Sequence, residues 1–166
     1  MNTKKLIRRR LIMLLVVIPL GLFSLSSYAN RDLQRVTALD SAPEGVVFEI
    51  VDWEDEYLSI AIPWVKQQIT ALRVQFPGLN IAVVSHGSEQ FALLKGADAA
   101  YPEIHSQVQS LITDHDVKLE LCLGHANMRG FNASDFPEYV DIEAAGPAQI
   151  SAYEARGYEL VVVTIE

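Results

Sequence analysis

The run LNIAVVS at residues 79–85 places the tightest limit on how this chain can fold. A strand with one face in water alternates apolar and polar residues, whereas this run is nearly all apolar. Such a strand needs cover on both faces, as in a parallel sheet with helices above and below it. The neighbouring segments supply those helices and further strands. VVFEIVD (46–52) is rich in β-branched and aromatic residues and reads as a strand. Leu58, Ile62, Val65, Ile69, Leu72 and Phe76 then recur at the three- and four-residue steps of one helix face. Pro63 fits only near that helix's start, and Pro77-Gly78 stops it.

His86-Gly87-Ser88 turns the chain, with Ser88 expected as the N-cap of a short helix from Glu89. Ile104, Val108, Leu111 and Ile112 mark a further helix ending near His115, and VKLELCL (117–123) is a third strand. YVDIE (139–143) reads as a fourth. Gly146-Pro147 opens a helix with Pro147 at its first position and Gly157 just past its end, and YELVVVTI (158–165) is the fifth strand. Strand and helix alternate throughout, which predicts an α/β fold: a doubly wound, mostly parallel five-stranded sheet with helices on both faces and right-handed crossovers.

The first 29 residues have the build of a secretory signal peptide. Lys4, Lys5, Arg8, Arg9 and Arg10 form a basic head, Leu11 to Leu25 an apolar run, and Ser27 and Ala29 a small-residue cleavage site. The apolar run is shorter than the ~20 residues that cross a bilayer, which favours cleavage over anchoring. The expected organisation is therefore a signal peptide at 1–29, a loose lead-in at 30–45 and one α/β domain at 46–166, located in the periplasm. Cleavage removes five of the 13 Lys+Arg and none of the 21 Asp+Glu, so the formal charge falls from −8 to −13. So acidic a domain repels phosphate backbones and anionic membranes, which argues against nucleic acid and membrane surfaces as partners. With one cysteine, Cys122, no internal disulfide can form, and the fold stands on its apolar core.

Open sheets of this kind bind ligands beyond the carboxyl ends of their strands. Three segments reach that edge: His86-Gly87, Cys122 to Asn127, and Ala145-Gly146. In the third strand Val117, Leu119, Leu121 and Leu123 share one face, so Cys122 lies on the other with Lys118 and Glu120. By residue type alone a free cysteine is more often a small buried apolar group than a nucleophile. If GHANMRG begins as a helical turn, backbone N–H groups, His125 and Arg129 would instead stabilise an anionic sulfur at Cys122.

His86 reads equally as a base or donor over the site and as a neutral histidine closing a strand end. His105 and His115 are expected to be solvated. His86, Cys122 and His125 have the ligand chemistry for zinc or copper, but their spacing matches no compact ligand motif, so no metal or other cofactor is assigned. The acidic run Asp52 to Glu56 is expected to be a solvated turn. G-x-G-x-x-G, P-loop and G-x-S-x-G patterns are absent, which leaves motif-based nucleotide binding and α/β-hydrolase chemistry without support.

Taken in order, VVFEIVD, IAVVSHGSEQFALL, LELCLGHANMRG and AAGPAQISAYEARGYELVVV resemble the DsrE/DsrF-like family of small sulfur-handling α/β proteins, over about residues 46 to 165. Many relatives carry Asn-Thr two and three residues after the cysteine, where this chain has Gly124 and His125. The resemblance implies homotrimers or hexamers, a cysteine that carries sulfur as a persulfide, and exchange with a sulfur donor or acceptor protein. Cys122 is then the expected sulfur carrier, with His86, Gly87, Gly124, His125, Asn127, Arg129 and Gly146 as binding residues. Two other readings stay open: a ligand- or metal-binding module without turnover, and an oligomeric scaffold in which Cys122 is core.

Overall fold

The computed structural model describes residues 31–165, so the expected signal peptide lies outside the described residues. Five strands, β1 (Gly45–Ile50), β2 (Ile81–Ser85), β3 (Lys118–Cys122), β4 (Asp141–Glu143) and β5 (Tyr158–Val162), form one sheet in the order β4-β3-β2-β1-β5. Every neighbouring pair is parallel, which sharpens the expected mostly parallel sheet. The helices are α1 (Arg31–Thr37), α2 (Leu58–Gln75), α3 (Pro102–His115), α4 (Leu123–Met128) and α5 (Gly146–Glu154). The edge strand β4 is shorter than its sequence pattern because it pairs with β3 at only three positions, ending at Cys122 opposite Glu143. Pro63 sits inside α2, after a 3₁₀ turn at Asp55–Tyr57 that precedes the helix.

One face of the sheet carries the main core. Phe48, Ile50, Leu119 and Leu121 meet Ile62, Ile69 and Leu72 of α2 and Leu111 of α3, all essentially without solvent contact. Burying each such side chain contributes about 1.5–3 kcal/mol. On the other face Val47, Ala82 and Val84 pack beneath Ile150 and Tyr153 of the single helix α5. Both faces are thus helix-covered, as the apolar run at 79–85 requires, but unequally.

Two segments depart from the sequence pattern. Within the lead-in, Arg31–Thr37 is helical: Val36 is fully buried in the main core, and the Asp32 carboxylate accepts the Val162 N–H at 3.2 Å. Seven residues are too few to show a helical period, so only contact with β5 reveals this helix. His105, expected in solvent, is buried. One ring nitrogen meets the Ala92 carbonyl at 3.0 Å and the other the Tyr139 hydroxyl at 2.7 Å. Its place beside Ile104 and three residues before Val108 turns it toward the core. His115 is half-buried at the end of α3.

Glu120, on the α5 face of β3, is 3% exposed. Its Oε1 accepts from the Tyr153 hydroxyl at 2.7 Å and from Gln149 Nε2 at 3.2 Å, while Oε2 has no partner. A buried carboxyl with one oxygen unpaired is poorly solvated as an anion, which favours its protonated form. Burial raises the Glu120 pKa, opposed by the two hydrogen bonds and aided by Glu143 and Asp141. The folded chain holds this proton more tightly than the unfolded chain does. The resulting stability is present at acid pH and is lost as pH rises through the raised native value. Glu120→Gln keeps the shape without the ionisation. Its melting temperature should fall less than wild type's between about pH 5 and about pH 8, and parallel thermal scans across that range would show it.

Candidate functional site

The carboxyl ends of β1, β2 and β3 are tied together by a 3₁₀ segment, Ser88–Leu93. Ser88 does not cap it. The N-cap position falls on Gly87, whose backbone is extended, and Ser88 is the first residue of the segment. Glu89 is fully buried: Oε1 accepts from Ser85 Oγ at 2.7 Å and Gly87 N at 3.0 Å, and Oε2 accepts from Asp52 N at 2.8 Å. Gln90 extends the link, donating to the Gly87 carbonyl at 3.0 Å and accepting the Cys122 N–H at 3.1 Å. A Cβ on Gly87 would stand 2.2 Å from Glu89 Oε2 and 2.4 Å from the Asp52 carbonyl, so only glycine fits.

Cys122 ends β3 and caps α4, with Sγ accepting the His125 N–H at 3.4 Å. The residue is 6% exposed. The His125 ring meets the His86 carbonyl through Nδ1 at 2.9 Å. A carbonyl can only accept, so Nδ1 carries the proton and Nε2 of the neutral ring is left as an acceptor. His86 binds the carboxylate of Glu49 through Nε2 at 2.7 Å, which by the same logic donates. Its backbone is fixed by its N–H to the Ile50 carbonyl at 3.1 Å. Gly146 lies against this histidine, and a Cβ there would fall 2.5 Å from His86 Cβ. Gly124 donates to the Ala144 carbonyl at 3.1 Å, closing the floor between α4 and β4.

Six expected residues therefore meet at this edge: Cys122, His86, Gly87, Gly124, His125 and Gly146. Arg129 belongs to the rim. Its Nη2 reaches Ser88 Oγ at 3.3 Å and its guanidinium stands 5.5 Å from the Phe91 ring, which also contacts the His125 ring edge-on at 5.4 Å. Beside it lies a cavity of about 300 Å³ lined by Asp55, Phe91, Leu94, Arg129 and Phe131. Asn127 is exposed, and its carbonyl accepts the Gly130 N–H at 3.0 Å. Glu49, Glu89 and Gln90 were not anticipated from the sequence. For Glu49 the available signal was an acid among the apolar residues of VVFEI, whereas Glu89, within HGSEQ, carried no such signal.

Among the described residues no group of three or more His, Cys, Asp or Glu is placed to hold a metal ion. In the run Asp52 to Glu56 the last four residues are exposed, and Asp52 Oδ1 accepts the Glu54 N–H at 2.9 Å as a turn requires. No helix among the described residues is long and apolar enough to cross a membrane. Chemically, the edge offers a thiol with a backbone donor on its sulfur, an imidazole acceptor and a histidine oriented by a carboxylate.

No protein-family model matches the chain, and no curated protein is similar to it. Solved structures are similar. The protein of unknown function MTH1491 from Methanobacterium thermoautotrophicum is 20% identical with a TM-score of 0.55, over 71% of this chain and 97% of its own. The ychN protein from E. coli is 17% identical at a TM-score of 0.53, over 72% and 99%. A protein of unknown function from Bacteroides thetaiotaomicron, BT1422, is 10% identical at 0.50, over 72% and 95%. At these identities the likeness defines the fold, and the fold is the DsrE-like α/β fold of five parallel strands with helices on both faces.

Glu89→Ala would leave Ser85 Oγ and the Asp52 and Gly87 N–H groups unpaired in the interior. It should destabilise the protein by about 3 kcal/mol, measured by denaturant unfolding. Gly146→Ala should push His86 off Glu49, seen as a changed His86 ring resonance in NMR spectra while His105 and His115 keep theirs.

Proposed function

We propose that this protein is an exported sulfur carrier that loads a persulfide on Cys122. The observation that carries the reading is the position of Sγ at the carboxyl edge of the sheet, with the His125 N–H 3.4 Å away. In the loading step the Cys122 thiolate attacks the outer sulfur of a donor persulfide, forming a new S–S bond. The donor's S–S bond breaks and its thiolate leaves with the electron pair, so no external oxidant is needed. An acceptor thiolate then takes the outer sulfur in the same way and regenerates Cys122. The His125 N–H and Arg129 would stabilise anionic sulfur, and His86, held by Glu49, would position the incoming chain. The leader-like residues 1–29 support a periplasmic setting, and the family resemblance supports a homotrimer or hexamer with a donor or acceptor protein as partner.

The 6% exposure of Cys122 favours a second reading, a binding module or scaffold whose cysteine never reacts. Mass spectrometry after incubation with polysulfide separates the two. The carrier gains one sulfur mass on Cys122, Cys122→Ser gains none and keeps its melting temperature, and an iodoacetamide-blocked sample also gains none. Wild-type protein that stays unloaded, and whose thiol reacts with iodoacetamide only in denaturant, would sink the carrier reading. N-terminal sequencing of protein recovered from the periplasm should begin at Asn30.

A further inference from the structure

A cavity of about 690 Å³ opens at the opposite edge of the sheet, where the strands begin. Five-residue strands set it roughly 16 Å from the Cys122 edge. Residues at or just before the starts of β2, β3 and β5 form its walls with the ends of α2, α3 and α5. Its volume lies within the ~300–1,000 Å³ of small-molecule sites.

The charge of this wall is reversed relative to the chain. Beyond residue 29 the protein has 8 Lys+Arg (13 less Lys4, Lys5, Arg8, Arg9 and Arg10) against 21 Asp+Glu. A wall drawn at random from such a chain would be acidic. This one carries Arg73, Lys118 and Arg156 with a single carboxylate, Asp116.

The three cations differ in what they have left to offer. Arg73 is committed to structure, donating from Nε to the Leu79 carbonyl at 3.1 Å and from Nη1 to the His115 carbonyl at the end of α3. Arg156 spends Nε on the Ala152 carbonyl at 3.1 Å. Its guanidinium carbon lies 4.3 Å from the Tyr153 ring centroid and 5.7 Å from that of Tyr158, and the two rings are 4.9 Å apart. That stack holds the guanidinium in place at the cavity wall. The Lys118 side chain is 72% exposed, and its Nζ stands 3.9 Å from the exposed Asp141 carboxylate, a loose pair that solvent screens.

We propose that this cavity binds a small organic anion carrying a planar ring. Lys118 and Arg156 meet its phosphate or carboxylate, and its ring lies along the stack of Arg156 on Tyr158. The site is independent of the sulfur chemistry and uses none of its residues.

Calorimetry on the purified protein tests this with two pairs of probes: adenosine monophosphate against adenosine, and nicotinate against nicotinamide. At least one anion should bind, about tenfold or more tighter than its uncharged partner, and less tightly as salt is added. Which anion binds distinguishes a phosphate head from a carboxylate. Lys118→Ala and Arg156→Ala should each weaken that binding several-fold. Lys118 is exposed, so its variant keeps the test valid even if Arg156→Ala loosens α5. The proposal is overturned if neither anion binds up to about 5 mM, if an uncharged partner binds equally well, or if both variants bind as wild type does.

Discussion

A single buried carboxylate organises the Cys122 edge of the sheet. Parallel strands end in unpaired backbone groups, and three strand ends brought together in an apolar interior must find partners for them. Glu89 supplies the acceptors for the groups that follow β1 and β2, and Gln90 extends the same link to β3. A carboxylate buried this deeply is tolerated because its hydrogen bonds replace hydration. Gly87 is the counterpart of that arrangement, since any side chain there would occupy the carboxylate's position.

From this clamp the rest of the edge follows in contact order. Gln90 fixes the Cys122 backbone, Cys122 caps α4, and the first turn of α4 carries His125 back to the His86 carbonyl. His86 in turn is held between Glu49 and Gly146. The cysteine is therefore the end of a connected polar network and not an isolated thiol in a core.

The two edges of the sheet have opposite electrostatic character. At the Cys122 edge the half-buried Glu49 and the fully buried Glu89 are both paired, and Arg129 stands at the rim. At the other edge, helix carbonyl ends converge and cations collect, partly to answer those carbonyls, as Arg73 does. Glu120 lies between them on β3, bonded to Tyr153, which also lines the second cavity.

Much of this architecture was legible in the sequence. The apolar run at 79–85 required cover on both faces, the stepping of Leu58 to Phe76 gave α2, and Pro147 and Gly157 bracketed α5. Alternation in VKLELCL placed Cys122 at the end of a strand, facing away from Leu119 and Leu121. Local periodicity carries these features because burial on one face of an element repeats along it. What the sequence could not determine were contacts between residues far apart in the chain. Glu49 with His86, Glu89 with Asp52, the burial of His105 and the docking of Arg31–Thr37 on β5 each join separate segments and leave no period to read. The reversed charge of the lower cavity is of the same kind, because Arg73, Lys118 and Arg156 are scattered singly along an acidic chain and become a patch only when the strand order brings their elements together.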